Sequence, residues 1–360
     1  MPSVLLPTVQ APAVVAVTGA NGFIAQHCIQ QLLLDGYHVV GTVRSEAKAK
    51  AVIRSHSENP RLRVVVVADM TCTRELVDAL KPLAPTAICH LAAPFTSQVS
   101  DLERDIMIPA VRGSLAILEA AVEIGNIKKV AYMSSFAAML DPTAEPNPNK
   151  IYTPDDWNPM SYEDGVNAKD WLGGYFAGKT WGEKVAWEFL KRRDATFDLV
   201  SLCPVMVHGP FIPGALPQSS QDINTSNALI WAISKLGRDA AIPVNGAPVW
   251  VDVRDVAACC VKALTVPEAA GRRFLLCASS YDNQEVADLA REISPKTRSI
   301  PLGQPGRRTP CTLFGTDASE TERVLGIKWT SLRESLTDLV PQLLTIPDAG
   351  TPADSFGVKI

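Results

Sequence analysis

The chain has 360 residues, of which 47% are hydrophobic and 20% charged, and its formal net charge at pH 7 is −4. This length allows one large core or two unequal lobes. The mild acidity argues against nucleic acid or an anionic membrane as a partner. The first 34 residues carry no charged side chain, so they lack the basic start of a targeting signal, and Pro7 and Pro12 disfavour a membrane span. We expect a disordered leader over 1–12.

The eight cysteines are spread along the chain without any C-x-x-C spacing. Most lie in apolar runs, which is typical of buried free thiols in a reduced compartment, so we expect a cytoplasmic protein. The adjacent Cys259 and Cys260 are interpreted as core thiols of one helix, with a redox pair as the alternative. The five histidines lack ligand spacing, and no metal site is predicted.

Short apolar runs alternate with amphipathic stretches. The apolar runs predict strands over 13–18, 38–43, 62–68, 86–91, 128–133, 197–203 and 273–278. The amphipathic stretches predict helices over 22–34, 45–55, 72–82, 104–124 and 173–193. Such alternation predicts β-α-β units, and hence an α/β fold with a Rossmann-type, doubly wound parallel sheet.

Two segments rich in proline or glycine, 141–165 and 208–250, interrupt this alternation. Long loops of this kind in an enzyme tend to line or cover a site. The stretch from 283 to 345 has helical patterns but little strand signal. We therefore expect a nucleotide-binding Rossmann domain over 13–205, to which 248–280 returns, and a smaller substrate-binding lobe formed by 206–247 and 281–360.

The first predicted strand runs directly into Thr18-Gly-Ala-Asn-Gly-Phe-Ile-Ala25. A strand that passes through glycines into a helix presents free backbone N–H groups to a phosphate. Gly19 allows the tight turn, Gly22 lets the backbone approach a pyrophosphate, and small Ala25 lets the helix lie against the strand. The spacing is G-x-x-G-x-x-A, and a glycine turn that serves packing alone is the alternative.

The second predicted strand ends at Arg44, and Lys48 follows four residues later. Enzymes that use NAD usually place Asp or Glu at this position, whereas a cation accommodates the 2′-phosphate of NADP. The planar guanidinium of arginine suits both phosphate and adenine. The pair therefore predicts NADPH, with an ordinary solvated charge pair as the alternative. Asp69 and Met70 after the third strand would lie near the adenine, although Asp69 could instead cap the helix over 72–82.

Tyr175 and Lys179 lie four residues apart in a predicted helix, so their side chains share one face. The phenol of tyrosine has a pKa of about 10, and a neighbouring ammonium group lowers it toward neutrality. Tyr175 would then be a usable acid. Ser134 and Ser135 end the fifth strand, where a hydroxyl can hydrogen-bond a substrate carbonyl.

Taken together, these motifs resemble the extended short-chain dehydrogenase/reductase superfamily. Within it, the chain is similar to the dihydroflavonol 4-reductase-like group, which includes methylglyoxal reductases and microbial ketoreductases. The matching residues, in order over nearly the whole chain, are Thr18–Ala25, Val43 and Arg44 with Lys48, Asp69 and Met70, His90–Pro94, Ser134 and Ser135, Tyr175 with Lys179, Cys203–Pro210 and Val251–Ala257.

The resemblance implies a Rossmann fold, NADPH, and a Ser-Tyr-Lys catalytic set in which the second serine, Ser135, acts with Tyr175 and Lys179. The implied cofactor-binding residues are Gly19, Asn21, Gly22, Phe23, Ile24, Arg44, Lys48, Asp69, Met70, Ala92, Ala93, Tyr175, Lys179, Pro204 and Val207. The implied activity is transfer of hydride to a ketone or aldehyde. We expect a hydrophobic metabolite, such as one of specialised metabolism, as substrate, and a monomer or homodimer.

Departures from related groups narrow this expectation. Cinnamoyl-CoA reductases carry Asn-Trp-Cys-Tyr-Cys where this chain has Asp170-Trp-Leu-Gly-Gly174, and sugar dehydratases place acidic residues where Phe136-Ala-Ala138 follow Ser135. Two alternatives remain: an epimerase or dehydratase that retains its cofactor, and a non-catalytic NADP sensor. Phe136, Trp171 and Phe211 are candidates for the substrate pocket, with core packing as the alternative.

Overall fold

The computed structural model describes residues 8–93, 99–191 and 195–350. The strands are β1 (Val14–Thr18), β2 (His38–Val43), β3 (Leu62–Val66), β4 (Ala87–His90), β5 (Lys129–Met133), β6 (Ile151–Tyr152), β7 (Asp198–Pro204), β8 (Met206–His208), β9 (Val249–Asp252), β10 (Arg273–Leu276), β11 (Ser279–Ser280) and β12 (Gly315–Thr316). The α-helices are α1 (Phe23–Leu34), α2 (Glu46–Ser55), α3 (Thr73–Leu80), α4 (Ile108–Ile124), α5 (Tyr162–Val166), α6 (Trp171–Phe189), α7 (Thr225–Lys235), α8 (Val253–Thr265), α9 (Asn283–Ile293), α10 (Ser319–Leu325) and α11 (Leu332–Thr345).

Seven parallel strands form the central sheet in the order β10-β7-β5-β4-β1-β2-β3. The chain begins in the middle at β1, moves outward to β3, and returns on the other side of β1 as β4. Ligands of doubly wound sheets bind at the carboxyl edge where this direction reverses. The predicted fold class is confirmed, and each predicted strand lies within two residues of an observed one at either end.

Alternate side chains of the sheet pack against helices on its two faces. In β1, Val15 and Val17 join a core with α1 and α8, whereas Ala16 joins a second core with α3, α4 and α6. All three residues are fully buried, which explains the unbroken apolar run. Full burial of a valine, leucine or isoleucine side chain contributes about 1.5–3 kcal/mol to folding.

Two predicted helices begin elsewhere. Helix α4 begins at Ile108 rather than at 104, after a π-helical turn over Glu103–Met107, because Pro109 has no N–H and fits only a first turn. Helix α6 begins at Trp171 rather than at 173, because the Asp170 carboxylate accepts a hydrogen bond of 3.0 Å from the Gly173 N–H and caps it there.

The end of the predicted leader belongs to the folded domain. Val9 is buried, its N–H donates to the Leu264 carbonyl at 3.1 Å, and its carbonyl accepts from the Tyr37 hydroxyl at 3.0 Å. These contacts hold Val9 against the folded domain, although it lies in the segment 1–12 for which disorder is expected. Residues 1–7 lie outside the described part of the chain.

Outside the central sheet, β8 and β9 pair in parallel with β11 antiparallel to β9, and β6 pairs with β12. A third core joins α7, α9 and α11 and includes Trp250 of β9. This core lies mostly in the predicted substrate lobe, although β9 was assigned to the Rossmann domain and is absent from the central sheet. The domain boundaries stay a prediction.

All eight cysteines are free, and six of them, including Cys259 and Cys260, are buried. Among the helices of the described ranges, none combines the length and apolarity needed to cross a membrane.

Candidate active site

The residues predicted to form the site lie at one edge of the central sheet. They follow the carboxyl ends of β1, β2, β3, β4, β5 and β7, and Tyr175 and Lys179 reach the same edge from α6. Pro94, the last residue of the fourth matching motif, lies outside the described residues.

Hydrogen bonds of the Thr18 hydroxyl join β1 to the end of β4, at the point where the chain direction reverses. The Thr18 hydroxyl oxygen accepts from the N–H groups of Leu91 and Ala92, each at 3.0 Å. Its own proton is therefore donated to Nδ1 of His90 at 2.9 Å, which assigns the ring proton of neutral His90 to Nε2. Burial, together with the charge of Lys179, lowers the pKa of His90 to about 3. This histidine is a fixed, neutral part of the small pocket that Tyr175 and Lys179 also line.

The glycine turn lies against Ala92, one of the residues bonded to Thr18. Gly19 has φ +66°, and a Cβ atom there would lie 3.0 Å from Cα of Ala92, so only glycine fits. The Gly22 N–H donates to the Gly19 carbonyl at 2.8 Å, and Gly22 is the N-cap of α1, without a side chain to cap the first turn. The first turn, which contains Phe23 and Ile24, presents its N–H groups and positive dipole end to a phosphate. Asn21 is exposed beside it.

Arg44 and Lys48 are exposed at the start of α2, one after the end of β2 and one in the first helical turn. Ser45 caps this helix, since its hydroxyl accepts from the Lys48 N–H at 3.4 Å. Because the Ser45 hydroxyl caps the first turn, the exposed side chains of Arg44 and Lys48 can bind an anion without disturbing that cap.

Asp69 does not cap α3, whose N-cap is Cys72. Its carboxylate instead accepts from the hydroxyl and N–H of Thr71 at 2.7 and 2.8 Å. These bonds, and more weakly the charge of Arg44, lower the pKa of Asp69. Met70 lies beneath, with Sδ 3.8 Å from the Thr42 hydroxyl. Both residues are on the β2–β3 side of the edge.

At the other end, the structure brings Ser135, Tyr175 and Lys179 together. The Tyr175 hydroxyl points at the Ser135 hydroxyl, with 3.5 Å between the oxygens, and Lys179 donates to the Met133 carbonyl at 3.1 Å. Two hydroxyls at this separation can both reach one further oxygen at the usual O–H···O distance of about 2.7–2.8 Å.

The electrostatics of this trio differ from the expectation. Burial raises the pKa of Tyr175, and the hydrogen bond to Ser135 offsets this only in part, so the pKa is not lowered as predicted. Burial also lowers the pKa of Lys179 to about 8. Tyr175 thus keeps its proton throughout the neutral range, whereas Lys179 loses its charge at mildly alkaline pH.

A buried carboxylate beneath the trio was not anticipated from the sequence. Glu183 lies one helical turn after Lys179, its side chain is fully buried, and it pairs with Arg273 at 2.7 Å. The Ser134 hydroxyl donates to the same carboxylate at 2.6 Å. The spacing Tyr175-Lys179-Glu183 was the available signal, since it places all three residues on one helix face.

A cleft of about 710 Å³ opens beside the glycine turn. Its walls include Asn21, Phe23 and Lys48 on one side and the segment 211–218 on the other. The ring of Phe211 packs on Phe23 with 5.3 Å between centroids, so this part of the predicted 208–250 loop covers the turn. The volume suits a large organic ligand.

The remaining predicted residues take different places. Pro204 ends β7 and is buried, and Val207 in β8 is buried with its N–H donating to the Ser226 hydroxyl at 3.2 Å. Phe136 packs in an aromatic group and is 6% exposed, which favours core packing, while Trp171 lies beside Tyr175 with 6.4 Å between ring centroids.

Comparison with known proteins matches residues 15–277 to the NAD dependent epimerase/dehydratase family. The chain is 33% identical over 344 residues to the NADPH-dependent methylglyoxal reductase of Saccharomyces cerevisiae, covering 92% of this chain and 98% of the relative. It resembles the crystal structure of yeast methylglyoxal/isovaleraldehyde reductase complexed with NADPH, with a TM-score of 0.86, 31% identity, and 92% and 98% coverage. The Candida albicans Gre2 structure with NADPH gives a TM-score of 0.86, 34% identity, and 92% and 99% coverage. The chain therefore belongs to the NAD dependent epimerase/dehydratase family, the extended short-chain dehydrogenases/reductases, and within it to the dihydroflavonol 4-reductase-like group.

Proposed function

We propose that the chain is an NADPH-dependent carbonyl reductase that converts a ketone or aldehyde to an alcohol. The observation that carries this proposal is the pair of hydroxyls of Tyr175 and Ser135, 3.5 Å apart and beside Lys179, at the carboxyl edge of the sheet. A carbonyl oxygen placed between the two hydroxyls receives both as donors. The methylglyoxal reductase activity of relatives at 31–33% identity supports the same reaction class.

The cofactor end fits NADPH. The space above Gly19, which a Cβ atom would fill, and the open first turn of α1 suit a pyrophosphate. Arg44 and Lys48 supply two exposed cations for the 2′-phosphate, where an NAD enzyme would carry a carboxylate. When bound, NADPH supplies the hydride for the carbonyl carbon.

The protein's own residues handle the proton and the developing negative charge. Tyr175 donates its proton to the carbonyl oxygen, and its raised pKa keeps this proton in place at neutral pH. Ser135 donates a hydrogen bond to the same oxygen and positions it. Lys179 is cationic below about pH 8, stabilises the phenolate that forms, and holds the ribose of the cofactor.

The alternatives differ in their chemistry. An epimerase or dehydratase needs further acid or base groups at the substrate, whereas Phe136–Ala138 after Ser135 form a buried apolar turn. A sensor has no need of the Tyr175–Ser135 contact. The aromatic side chain of Trp171 beside Tyr175 favours a hydrophobic carbonyl compound, and we extend the proposal to metabolites of this kind, including those of specialised metabolism.

The test is oxidation of NADPH by the purified chain over a panel of ketones and aldehydes, aliphatic and aromatic, with NADH in parallel. The proposal expects turnover with NADPH, slower turnover with NADH, and an alcohol product in equal amount to the NADPH consumed. Tightly copurifying NAD with no net consumption of NADPH would instead identify a cofactor-retaining epimerase or dehydratase. Binding of NADPH without turnover of any carbonyl compound would favour the sensor.

A further inference from the structure

The Glu183 cluster, defined here as Glu183 with Ser134, Ser201 and Arg273, adjoins the reactive hydroxyls through Ser134, the chain neighbour of Ser135. The side chain of Glu183 is 0% exposed and that of Arg273 is 9% exposed. Arg273 contacts both carboxylate oxygens, at 2.7 and 3.2 Å, and the hydroxyls of Ser134 and Ser201 each donate at 2.6 Å. A buried carboxylate is tolerated only with such a set of partners.

The carboxylate is ionised. Burial by itself would raise the pKa of Glu183, but the charge of Arg273 and the hydrogen bonds from the two serines lower it. Hydrogen bonds to a charged acceptor are stronger than neutral ones, so Glu183 holds both serine hydroxyls firmly.

The position of Ser134 in the chain gives this contact a consequence for catalysis. Ser135 has extended backbone angles, φ −162° and ψ 155°, so the side chains of Ser134 and Ser135 point to opposite sides. The Glu183 contact holds Ser134, and with it the strand end, so that Ser135 faces the opposite side, where Tyr175 lies. The Ala137 N–H donates to the Ser135 hydroxyl at 3.1 Å and holds it on that side. A shift of the backbone at Ser134 would displace the Ser135 hydroxyl as well, because the two residues share a peptide unit.

The same helix carries both ends of this arrangement. Tyr175 and Glu183 are eight residues apart on α6 and thus on one face. The helix that presents the proton donor also fixes the strand end that presents Ser135. Arg273 adds a third attachment, because its guanidinium donates to the carbonyls of Pro154 and Asp156 and lies 3.7 Å from the Trp157 ring centroid.

We propose that Glu183 is a positioning residue of the reductase, which acts through Ser134 to hold the Ser135 hydroxyl at the substrate oxygen beside Tyr175. Arg273 keeps the carboxylate in place and joins it to the loop 154–157. This inference rests on the proposed function and assigns a role to a part of the site outside the Ser-Tyr-Lys set.

Substitution of Glu183 itself would leave Arg273 buried without its partner and endanger folding. The chain offers a gentler, matched pair, Ser134→Ala and Ser201→Ala. Each removes one hydroxyl that donates to Glu183 at 2.6 Å from a buried site, and each leaves the ion pair intact. The two differ in that only Ser134 adjoins Ser135.

The measurements are kcat, KM and NADPH Kd with one carbonyl substrate, together with thermal unfolding. We expect similar losses of melting temperature in the two variants and an unchanged NADPH Kd. The kcat of Ser134→Ala should fall about tenfold or more, because small misplacements of a reacting group cost this much. The kcat of Ser201→Ala should stay within about twofold of the unchanged chain.

A double-mutant cycle then tests whether Ser134 acts through Ser135. In the Ser135→Ala background, Ser134→Ala should cost less than about twofold in kcat, because no hydroxyl is left to position. Equal kcat losses in Ser134→Ala and Ser201→Ala, or an undiminished loss in the Ser135→Ala background, overturn the inference while the proposed function stands. Absence of carbonyl reduction by the unchanged chain overturns both.

Discussion

The two ends of the candidate site are built by opposite means. The phosphate end consists of backbone N–H groups around Gly19 and Gly22 and of the exposed cations Arg44 and Lys48. The chemical end consists of partly buried side chains backed by the buried carboxylate of Glu183. Charges at an exposed end are screened by water and salt, whereas burial shifts pKa values and fixes hydrogen bonds. Binding and chemistry should therefore respond to different perturbations.

The largest effect expected at the chemical end is that of Tyr175→Phe. This change removes only the hydroxyl, so kcat should fall about 10²-fold or more through the loss of the general acid. The NADPH Kd, measured by fluorescence, should stay within a few-fold, because the phosphate end is untouched. Near-normal kcat would show that Tyr175 is not the proton donor.

Tyr162→Phe is the matched control. Tyr162 lies on α5, and its hydroxyl donates to Glu103 at 3.3 Å rather than to Ser135. Removal of this hydroxyl should leave kcat unchanged.

Lys179→Met should lower the rate at neutral pH about tenfold or more, since it removes the cation that stabilises the developing phenolate. It should also change the pH–rate profile. The pKa of Lys179 is about 8, and its cation exists below that pH, so the unchanged chain should lose reductase rate as the pH rises through about 8. The variant should lack this limb and keep its residual rate until Tyr175, with its raised pKa, ionises. An alkaline limb that stays at the same pH would restrict Lys179 to cofactor binding.

Lys179 should affect stability in the opposite direction to the reductase rate: as the pH rises through about 8, the rate of the unchanged chain falls while its stability increases. The folded pKa of Lys179 is lower than the unfolded value, so between the two the unfolded chain binds more protons, and stability rises with pH. Lys179→Met has no such charge to bury. Its gain in melting temperature over the unchanged chain should be largest at pH 7 and should shrink as the pH rises above 8.

The contrast between the two ends also explains what the sequence could foretell. The glycine turn and the Tyr175–Lys179 pair each lie within eight consecutive residues, so local spacing predicts them. The Glu183 cluster takes one residue from α6, one after β5, one from β7 and one from β10. These meet only because β5, β7 and β10 are neighbours in the sheet, with Arg273 paired to Ser201 in register. The residue pattern does not predict the order of the strands in the sheet, so it does not predict this cluster.

Burial explains why the sequence predicts the wrong direction for the pKa shift of Tyr175. The sequence predicts that Lys179 and Tyr175 share a helix face, but it does not give the depth at which they lie. Since desolvation outweighs the other influences at Tyr175, the direction of its pKa shift required the structure. The attachment of Val9 to the folded domain likewise depends on distant partners, because Val9 is held by Leu264 and Tyr37.

At the phosphate end, Arg44→Asp should change cofactor preference without a comparable effect on chemistry. The loss of a charge-assisted contact should raise the KM for NADPH about tenfold, while the KM for NADH should change much less. Lys50→Asp is the control, since Lys50 is exposed like Arg44 and the substitution changes the charge by the same amount. An NADPH to NADH ratio that is equal in both variants would contradict the assignment of Arg44.

The smallest expected effect is that of salt, and it separates the two ends without any mutation. Arg44 and Lys48 are exposed, so their attraction for a 2′-phosphate weakens as the Debye length shrinks from about 30 Å at 0.01 M to about 8 Å at 0.15 M salt. The KM for NADPH should rise a few-fold over this range, whereas kcat at saturating cofactor should hardly change, because the reacting groups are partly buried and held by hydrogen bonds. The double variant Arg44→Ala with Lys48→Ala should lose most of this salt dependence. A kcat that falls with salt as steeply as the NADPH affinity would mean that the two ends are not electrostatically separate, and the contrast between them would fail.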